Sequence, residues 1–247
     1  MPAPYRLQES FRPKVWGACD LSPWYPAPPE KVGEVWFLDD PAPPLLVKFL
    51  FTTERLSVQV HPGGPQGKTE MWHVLRAGPG ASVALGFTRP VTAEELRAAC
   101  LSGAIEDLLR WRPVRAGDTL FVPAGTVHAI GAGLVICEIQ QYSDVTYRLF
   151  DYGRPRELHL EEAIAVSDLG CHPGPVPADA DPLVCCEYFE TRALRITAPR
   201  EAAADIVVIL RGQGEVDRQP CALGEAWRVF GSARLSGDMD VLVTRVP

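Results

Sequence analysis

Gln59 and His61 are the first pair of side chains in this sequence that could do chemistry together. They lie two residues apart in the segment 56–62, LSVQVHP. Residues two apart on a β-strand project from the same face, so both would face one way while Val58 and Val60 face the other. A strand with one polar and one apolar face is suited to lining a cavity.

Glu70 and His128 add two further donors. Glu70 ends a glycine-rich loop, GGPQGKTE, and opens the next predicted strand, which a hairpin would bring back beside His61. His128 ends the pattern G-x5-P-x-G-x2-H, in which the glycines permit tight turns and the proline fixes the entry to one. Together with Gln59 they make a nitrogen and oxygen donor set that suits zinc with open positions, which is a catalytic rather than a structural arrangement. A zinc ion with one carboxylate leaves the site cationic, so it could stabilise an oxyanion or an enediolate.

Each of these residues also has an ordinary explanation. A single histidine in a β protein is more often a hydrogen-bonded structural residue than a metal ligand, and Gln-x-His alone is weak evidence. The two motifs in this order, with a glutamate between them, favour the metal site. The other histidines, His73, His159 and His172, are interpreted as structural or surface residues.

The elements that would position these side chains are mostly short strands. Glycine (21) and proline (24) are frequent, which tight turns between strands accommodate better than long helices do. Composition and alternation predict strands at Leu45–Phe51, Arg55–Val60, Glu70–Leu75, Ser82–Phe87, Asp118–Val122, Leu134–Gln140, Tyr188–Thr197, Ala204–Leu210, Glu225–Phe230 and Val241–Val246. Helical spacing of apolar residues predicts short helices within 92–110, where Thr92 and Glu95 form a capping-box signature, and within 158–166.

Three segments suggest the domain organisation. The first 44 residues are punctuated by proline and are expected to wrap a sheet rather than to form one. The segment 172–182, HPGPVPADADP, is predicted to be a linker. It would separate a catalytic domain, residues 1–171, from a smaller β domain, residues 183–247, which contains no histidine and so cannot build a histidine metal site.

Charge and cysteine content restrict the partners and the compartment. The formal charge is −7, which argues against nucleic acid and anionic membranes as partners. The seven cysteines include no CxxC pair, and the N-terminus has no basic region followed by an apolar core. No apolar run approaches the roughly 20 residues of a membrane span. We therefore expect a cytoplasmic protein with free thiols.

The combined motifs resemble the cupin superfamily and, within it, the compact bacterial form of the type I mannose-6-phosphate isomerases. The resemblance is carried by LSVQVHP (56–62), GKTEMW (67–72), GDTLFVPAGTVHAIG (117–131), EIQQYSDVTYRLFDYGR (138–154) and RELHL (156–160). The usual first cupin motif has histidine in place of Gln59, and its glutamate follows that position more closely than Glu70 does here. The sequence therefore resembles one family within the superfamily rather than the general cupin motif. It implies a mainly β fold: a cupin (jelly-roll) barrel with short helical insertions, followed by a degenerate, metal-free second cupin-like domain.

The resemblance also implies an activity and a cofactor. The protein would be a zinc-dependent aldose–ketose isomerase that interconverts mannose 6-phosphate and fructose 6-phosphate through an enediol. Each chain would hold one Zn²⁺, and the substrate would be a small phosphorylated sugar. The implied zinc ligands are Gln59, His61, Glu70 and His128.

The remaining site residues follow from the same resemblance. Arg148, Glu138 and Lys68 would be catalytic, and Ser57 and Arg154 would contact the phosphate. Isomerisation needs a Lewis acid on the sugar oxygens, a nearby acid or base and a cationic phosphate site, and the planar fork of arginine matches phosphate oxygens. Arg148 and Arg154 could instead form surface ion pairs, and Glu138 could merely orient Arg148.

Other functional hypotheses stay open. His61, Glu70 and His128 alone would make the two-histidine, one-carboxylate set of Fe(II) oxygenases, although Gln59 as a fourth ligand leaves fewer positions for oxygen and substrate. A non-catalytic cupin that binds a sugar phosphate, or an isomerase for another aldose, would use the same residues. The sequence does not distinguish a monomer from a homodimer.

Overall fold

Strands make up most of the regular structure in the computed structural model, which describes residues 2–247. The strands are β1 (Tyr5–Arg6), β2 (Gln8–Ala18), β3 (Val32–Leu38), β4 (Leu45–Phe51), β5 (Val58–Val60), β6 (Glu70–Ala77), β7 (Ser82–Phe87), β8 (Leu109–Pro113), β9 (Thr119–Val122), β10 (His128–Ile130), β11 (Leu134–Gln141), β12 (Tyr147–Phe150), β13 (Val184–Cys185), β14 (Glu190–Ile196), β15 (Arg200–Val216), β16 (Gln219–Ala222) and β17 (Ala226–Arg245). The helices are α1 (Ala93–Ser102), α2 (Ile105–Leu108) and α3 (Leu160–Val166). Among the described residues, no helix has the length and apolar character needed to cross a membrane.

Two antiparallel sheets face each other across the first core. One has the strand order β2-β3-β4-β11-β6-β9, and the other has the order β12-β5-β10-β7-β8. Buried side chains of both sheets, such as Leu50 and Trp72 from the first and Leu85 and Ile130 from the second, form a single cluster. Sheets that pack face to face in this way form a sandwich whose alternate residues point inward. The predicted mainly β, cupin-type fold is confirmed.

The outer faces of both sheets are also covered. Every residue of β4 is buried, because its second face packs against the C-terminal strands through residues such as Phe49 and Ile206. A strand buried on both faces is expected to be apolar along its length rather than alternating, as β4 is except for Lys48. The outer face of the second sheet packs against the helices through residues such as Leu96 and Ile164.

The C-terminal strands form a third sheet with a core of its own. Its order is β13-β14-β17-β15-β16, and β1 from the N-terminus pairs with β17. The strands predicted at Glu225–Phe230 and Val241–Val246 lie mostly within the single long strand β17. Gly231 and Gly237, both with positive φ, lie between the two predicted segments.

The prediction for the first 44 residues was wrong. They contribute β2 and β3 to the first sheet, with β2 at its edge. Pro13 lies within β2, and an edge strand tolerates proline because one side of it makes no ladder hydrogen bonds. Strands β8 and β12 were also not predicted, and both are edge strands of the second sheet.

Residues 172–182 contain no helix or strand, but hydrogen bonds hold them against strand β9 of the first sheet. The backbone N–H of Val176 donates to the carbonyl of Thr119 at 2.8 Å. His172 Nε2 donates to the carbonyl of Phe121, also at 2.8 Å. The predicted linker therefore lies along β9 as it leads to the third sheet.

Candidate metal centre and its cavity

His61, Glu70 and His128 bring three donor atoms together inside the barrel. His61 follows β5, while Glu70 and His128 are the first residues of β6 and β10. One donor atom from each lies within 4.8 Å of the others, and all three residues are buried. Oε1 of Glu70 is 3.8 Å from Nε2 of His61 and 3.6 Å from Nε2 of His128. These separations leave room for one ion in contact with all three.

Backbone carbonyls fix the orientation of both imidazole rings. Nδ1 of His61 donates to the carbonyl of Val145 at 2.8 Å, and Nδ1 of His128 donates to the carbonyl of Thr126 at 2.8 Å. A carbonyl can only accept, so each Nδ1 carries the hydrogen and each Nε2 keeps its lone pair. Burial holds the pKa of His61 well below its usual value and lowers the pKa of His128 to about 4. Both rings are therefore neutral and ready to ligate.

Gln59, in β5, lies beside this group. It lies directly opposite His128 in the pairing of β5 with β10. Its Nε2 is 3.3 Å from Nε2 of His128, and Ser57 donates to its Oε1 at 3.1 Å. A half-turn of the amide would exchange these two atoms and direct Oε1 toward the other donors, which is the arrangement an oxygen ligand requires.

The donor set fits a divalent cation. Oε1 of Glu70 is buried and has no hydrogen-bond partner among residues 2–247. Burial raises the pKa of this carboxyl to about 7, despite the opposing charge of Lys68. A buried carboxylate oxygen facing two imidazole lone pairs is destabilised unless a cation lies between them. Two imidazoles, a carboxylate and an amide match the nitrogen and oxygen ligands that zinc accepts, with positions left for substrate.

A buried ionic network surrounds this group. Lys68 Nζ pairs with Oε2 of Glu70 and lies 3.3 Å from Oε1 of Glu138. Lys48 Nζ lies 3.3 Å from the same oxygen and 4.5 Å from the centre of the Trp36 ring. Burial raises the pKa of Glu138, but the two ammonium groups outweigh it and lower the pKa to about 2. Glu138 is therefore an anion shared by two buried lysines.

The metal group adjoins a cavity of about 280 Å³. Five of the residues predicted for the site line it, namely Ser57, Gln59, Lys68, Glu138 and Arg148. Its volume is just below the roughly 300–1,000 Å³ typical of ligand sites, which suits a small molecule. Five basic and three acidic side chains line it, so its charge is opposite in sign to that of the whole chain.

The two predicted arginines differ in position. Arg148 lies opposite Gln59 in the pairing of β12 with β5 and faces the cavity. Its Nη1 donates to the carbonyl of Glu157 at 2.8 Å. Arg154 is not among the residues that line the cavity. It donates to Asp151 Oδ1 at 3.1 Å and to the carbonyl of Arg55 at 2.6 Å.

Several cavity residues were missed by sequence reasoning. Lys14, Glu34 and Trp36 come from β2 and β3, which lie in the segment expected to wrap the sheet. Lys48 offered a signal, since a charged residue inside the apolar run LLVKFLF is unusual unless it is paired. Arg156 begins the RELHL segment (156–160) that carries the family resemblance, but nothing in that pattern indicated that its side chain lines the cavity.

The other histidines lie outside the metal group. His73 Nδ1 is 2.9 Å from Oγ1 of Thr119, and burial lowers the His73 pKa to about 4. His172 is bonded to the carbonyl of Phe121, and His159 precedes α3. These positions agree with structural roles.

Gly125 lies in the turn that precedes His128 and places it in the metal group. A side chain at Gly125 should therefore weaken metal binding. Its φ is +87°, its N–H donates to the carbonyl of His61 at 2.9 Å, and an added Cβ would lie 3.1 Å from the carbonyl oxygen of Val166. We expect Gly125→Ala to lower the free energy of unfolding by about 1–2 kcal/mol and to weaken metal retention. Denaturant unfolding and metal analysis would measure both.

Gly63→Ala is the matched control. An added Cβ at Gly63 would meet its nearest atom, Cβ of Ala124, at an ordinary 3.9 Å. Equal losses in the two variants would contradict the role assigned to Gly125.

No family model matches the chain. It is 32% identical to the mannose-6-phosphate isomerase of Streptococcus mutans over 87% of each chain. It is 33% identical to mannose-6-phosphate isomerase ManA of Bacillus subtilis over 67% of this chain and 68% of that one. The crystal structure of the mannose 6-phosphate isomerase from Bacillus subtilis superposes with a TM-score of 0.86 and 26% identity, covering 99% of this chain and 100% of the other.

Proposed function

The chain belongs to the mannose-6-phosphate isomerase family, and we propose that it interconverts mannose 6-phosphate and fructose 6-phosphate with one zinc ion held by Gln59, His61, Glu70 and His128. The observation that carries the proposal is the orphaned oxygen of Glu70, which faces two imidazole nitrogens beside a cationic cavity. Bound there, zinc would act as a Lewis acid toward the sugar oxygens.

The side chains of the cavity would bind and orient the sugar. Isomerisation moves one proton between the first two carbons of the sugar and another between their oxygens. Glu138 and Lys68 line the cavity beside the metal ligands and are the acid and base groups that we propose for these transfers. The Lys68 ammonium would also stabilise negative charge on a sugar oxygen, since Glu138 and Glu70 raise the Lys68 pKa more than burial lowers it.

Polar groups farther along the wall would hold the rest of the substrate. Arg148 presents a guanidinium to the cavity, and Ser57 is buried beside Gln59. Arginine forms two parallel hydrogen bonds to carboxylate or phosphate, which fixes orientation as well as charge. The phosphorylated end of the sugar would therefore point away from the metal and toward the arginines.

A coupled assay tests the function directly. We expect the purified protein to form fructose 6-phosphate from mannose 6-phosphate and to lose nearly all of this activity after treatment with a chelator. Stoichiometric Zn²⁺ should restore it. Full activity in protein shown by elemental analysis to contain no metal would refute the zinc mechanism.

The same preparation separates the competing hypotheses. Oxygen uptake by protein reconstituted anaerobically with Fe(II) would indicate an oxygenase. Tight binding of mannose 6-phosphate without turnover, measured by calorimetry on zinc-loaded protein, would indicate a non-catalytic sugar-phosphate-binding cupin. If another aldose phosphate were turned over faster than mannose 6-phosphate, the proposed substrate would be replaced, but the proposed aldose–ketose isomerisation would stand.

A further inference from the structure

Arg156 reaches the cavity that Arg148 also lines, and a buried carboxylate holds it there. Asp151 is 2% exposed. Arg156 donates to it twice, from Nε to Oδ2 at 2.6 Å and from Nη2 to Oδ1 at 2.7 Å. A two-point contact of this kind fixes the plane of the guanidinium and leaves its Nη1 group outside the fork. Arg156 is therefore a cation oriented in advance at the cavity wall.

Close to Arg156, the cavity wall also carries the positive charge of Arg148, which is not paired with a carboxylate among the described residues. Nε of Arg148 is buried and has no hydrogen-bond partner among residues 2–247. Burial lowers the pKa of Arg148, and the neighbouring charge of Arg156 lowers it further. Among the acidic side chains lining the cavity, Glu138 is paired with lysines and Glu34 with Lys14. The third, Asp144, is exposed to solvent.

We propose that Arg156, together with Arg148, binds the phosphate group of the substrate, and that Asp151 positions Arg156 for this contact. The proposal rests on the proposed function for the identity of the substrate. A phosphate dianion has enough oxygens to accept from both guanidinium groups and would relieve the repulsion between them.

Arg154 is the competing assignment. The resemblance to the isomerase family places the phosphate contact at Arg154, two residues earlier in the chain. Its guanidinium is occupied by Asp151 and by the carbonyl of Arg55, and it also lies against the ring of Tyr152 at 5.6 Å. In this chain, Arg154 would hold the turn and Arg156 would hold the phosphate.

The test compares Arg156→Gln with Arg154→Gln. We expect Arg156→Gln to raise the KM for mannose 6-phosphate by about tenfold to a hundredfold, with kcat changed less than about threefold. Inhibition by inorganic phosphate should weaken by the same factor. Arg154→Gln should change both quantities much less than Arg156→Gln does, because Arg154 contacts Asp151 but does not line the cavity. A larger effect of Arg154→Gln than of Arg156→Gln would overturn the assignment.

Further variants separate binding from folding and positioning. Arg97→Gln is the matched control, because Arg97 makes the same two-point contact with Glu161 on the surface, away from the cavity. Arg156→Lys keeps the charge and should fall between wild type and Arg156→Gln. Asp151→Asn should raise KM in the wild-type background but add little to Arg156→Gln. Full additivity of these two substitutions would refute the positioning role.

Calorimetry with inorganic phosphate keeps this proposal distinct from the proposed function. Phosphate binding that weakens in Arg156→Gln would support the site even if the wild type showed no isomerase activity, and that result would refute the function alone. Wild-type protein that isomerises mannose 6-phosphate, but whose phosphate affinity is unchanged by Arg156→Gln, would refute the site alone.

Discussion

Replacing Glu70 with glutamine is expected to remove the metal and to lower kcat/KM for mannose 6-phosphate by on the order of a thousandfold, or about 4 kcal/mol of transition-state stabilisation. Glu70 is the carboxylate of the three-residue donor group, and its Oε1 has no other partner among residues 2–247. Glutamine keeps the shape but loses the negative charge that attracts a divalent cation. The fold should persist, because Lys68 keeps its contact with Glu138 at 3.3 Å.

Metal content after dialysis and the coupled assay would measure this effect on one preparation. Glu30→Gln, at an exposed glutamate, removes the same charge away from the cavity and should leave both metal and activity unchanged. The metal assignment would fail if Glu70→Gln retained one zinc per chain. The zinc mechanism would fail if the variant lost zinc but kept its turnover.

Local rules were enough to identify three donors that the structure brings together, His61, Glu70 and His128. Gln59 and His61 share a face because strand side chains alternate, and His128 follows a turn that Gly125 makes possible. These signals depend on residues close together in the chain. The family resemblance that the motifs carry, and the mainly β fold that this resemblance implies, are both confirmed.

Features that depend on distant pairing could not be predicted in this way. Strand β3 joins the first sheet by pairing with β4, and β2 joins it by pairing with β3. An edge strand interrupted by a proline, as β2 is, has little sequence signature. The position of Trp36 in the cavity wall could therefore not be predicted from its own segment. Which arginine reaches the cavity depends on a turn at Tyr152 and Gly153, where φ is 54° and 78°. Whether Arg154 or Arg156, two residues apart, lines the cavity is therefore decided by tertiary contacts at this turn and not by the sequence pattern.

Glu138→Gln is expected to lower the free energy of unfolding by about 3 kcal/mol, since removing one partner of a buried ion pair leaves a charge without compensation. Glu138 is 3% exposed and lies between Lys48 and Lys68. Lys68 would keep Glu70 as its partner, whereas Lys48 would retain only weaker contacts, including that with the Trp36 ring. Burial already lowers the pKa of Lys48, so release of its proton would limit the cost.

The pH dependence of this loss has a definite direction. The pKa of Glu138 is lowered from 4.5 to about 2, so its carboxylate contributes stability above pH 4.5, and this contribution is lost as the pH falls toward 2. Unfolding curves of wild type and Glu138→Gln should therefore differ most near neutral pH and converge across that acidic range. A difference that grew as the pH fell would contradict the ion-pair explanation.

The double variant Lys48→Met, Glu138→Gln distinguishes the structural role of Glu138 from its proposed catalytic role. Methionine replaces the unpaired ammonium with an apolar group of similar length, so much of the lost stability should return and the double-mutant cycle should be strongly non-additive. Turnover should not return, because the acid or base group would still be missing, and kcat should remain at least about a hundredfold below wild type. Stability that returns together with turnover would assign Glu138 to the scaffold alone. Stability that returns without turnover would mean that the two lysines hold Glu138 ionised at the cavity wall because the reaction requires a carboxylate there.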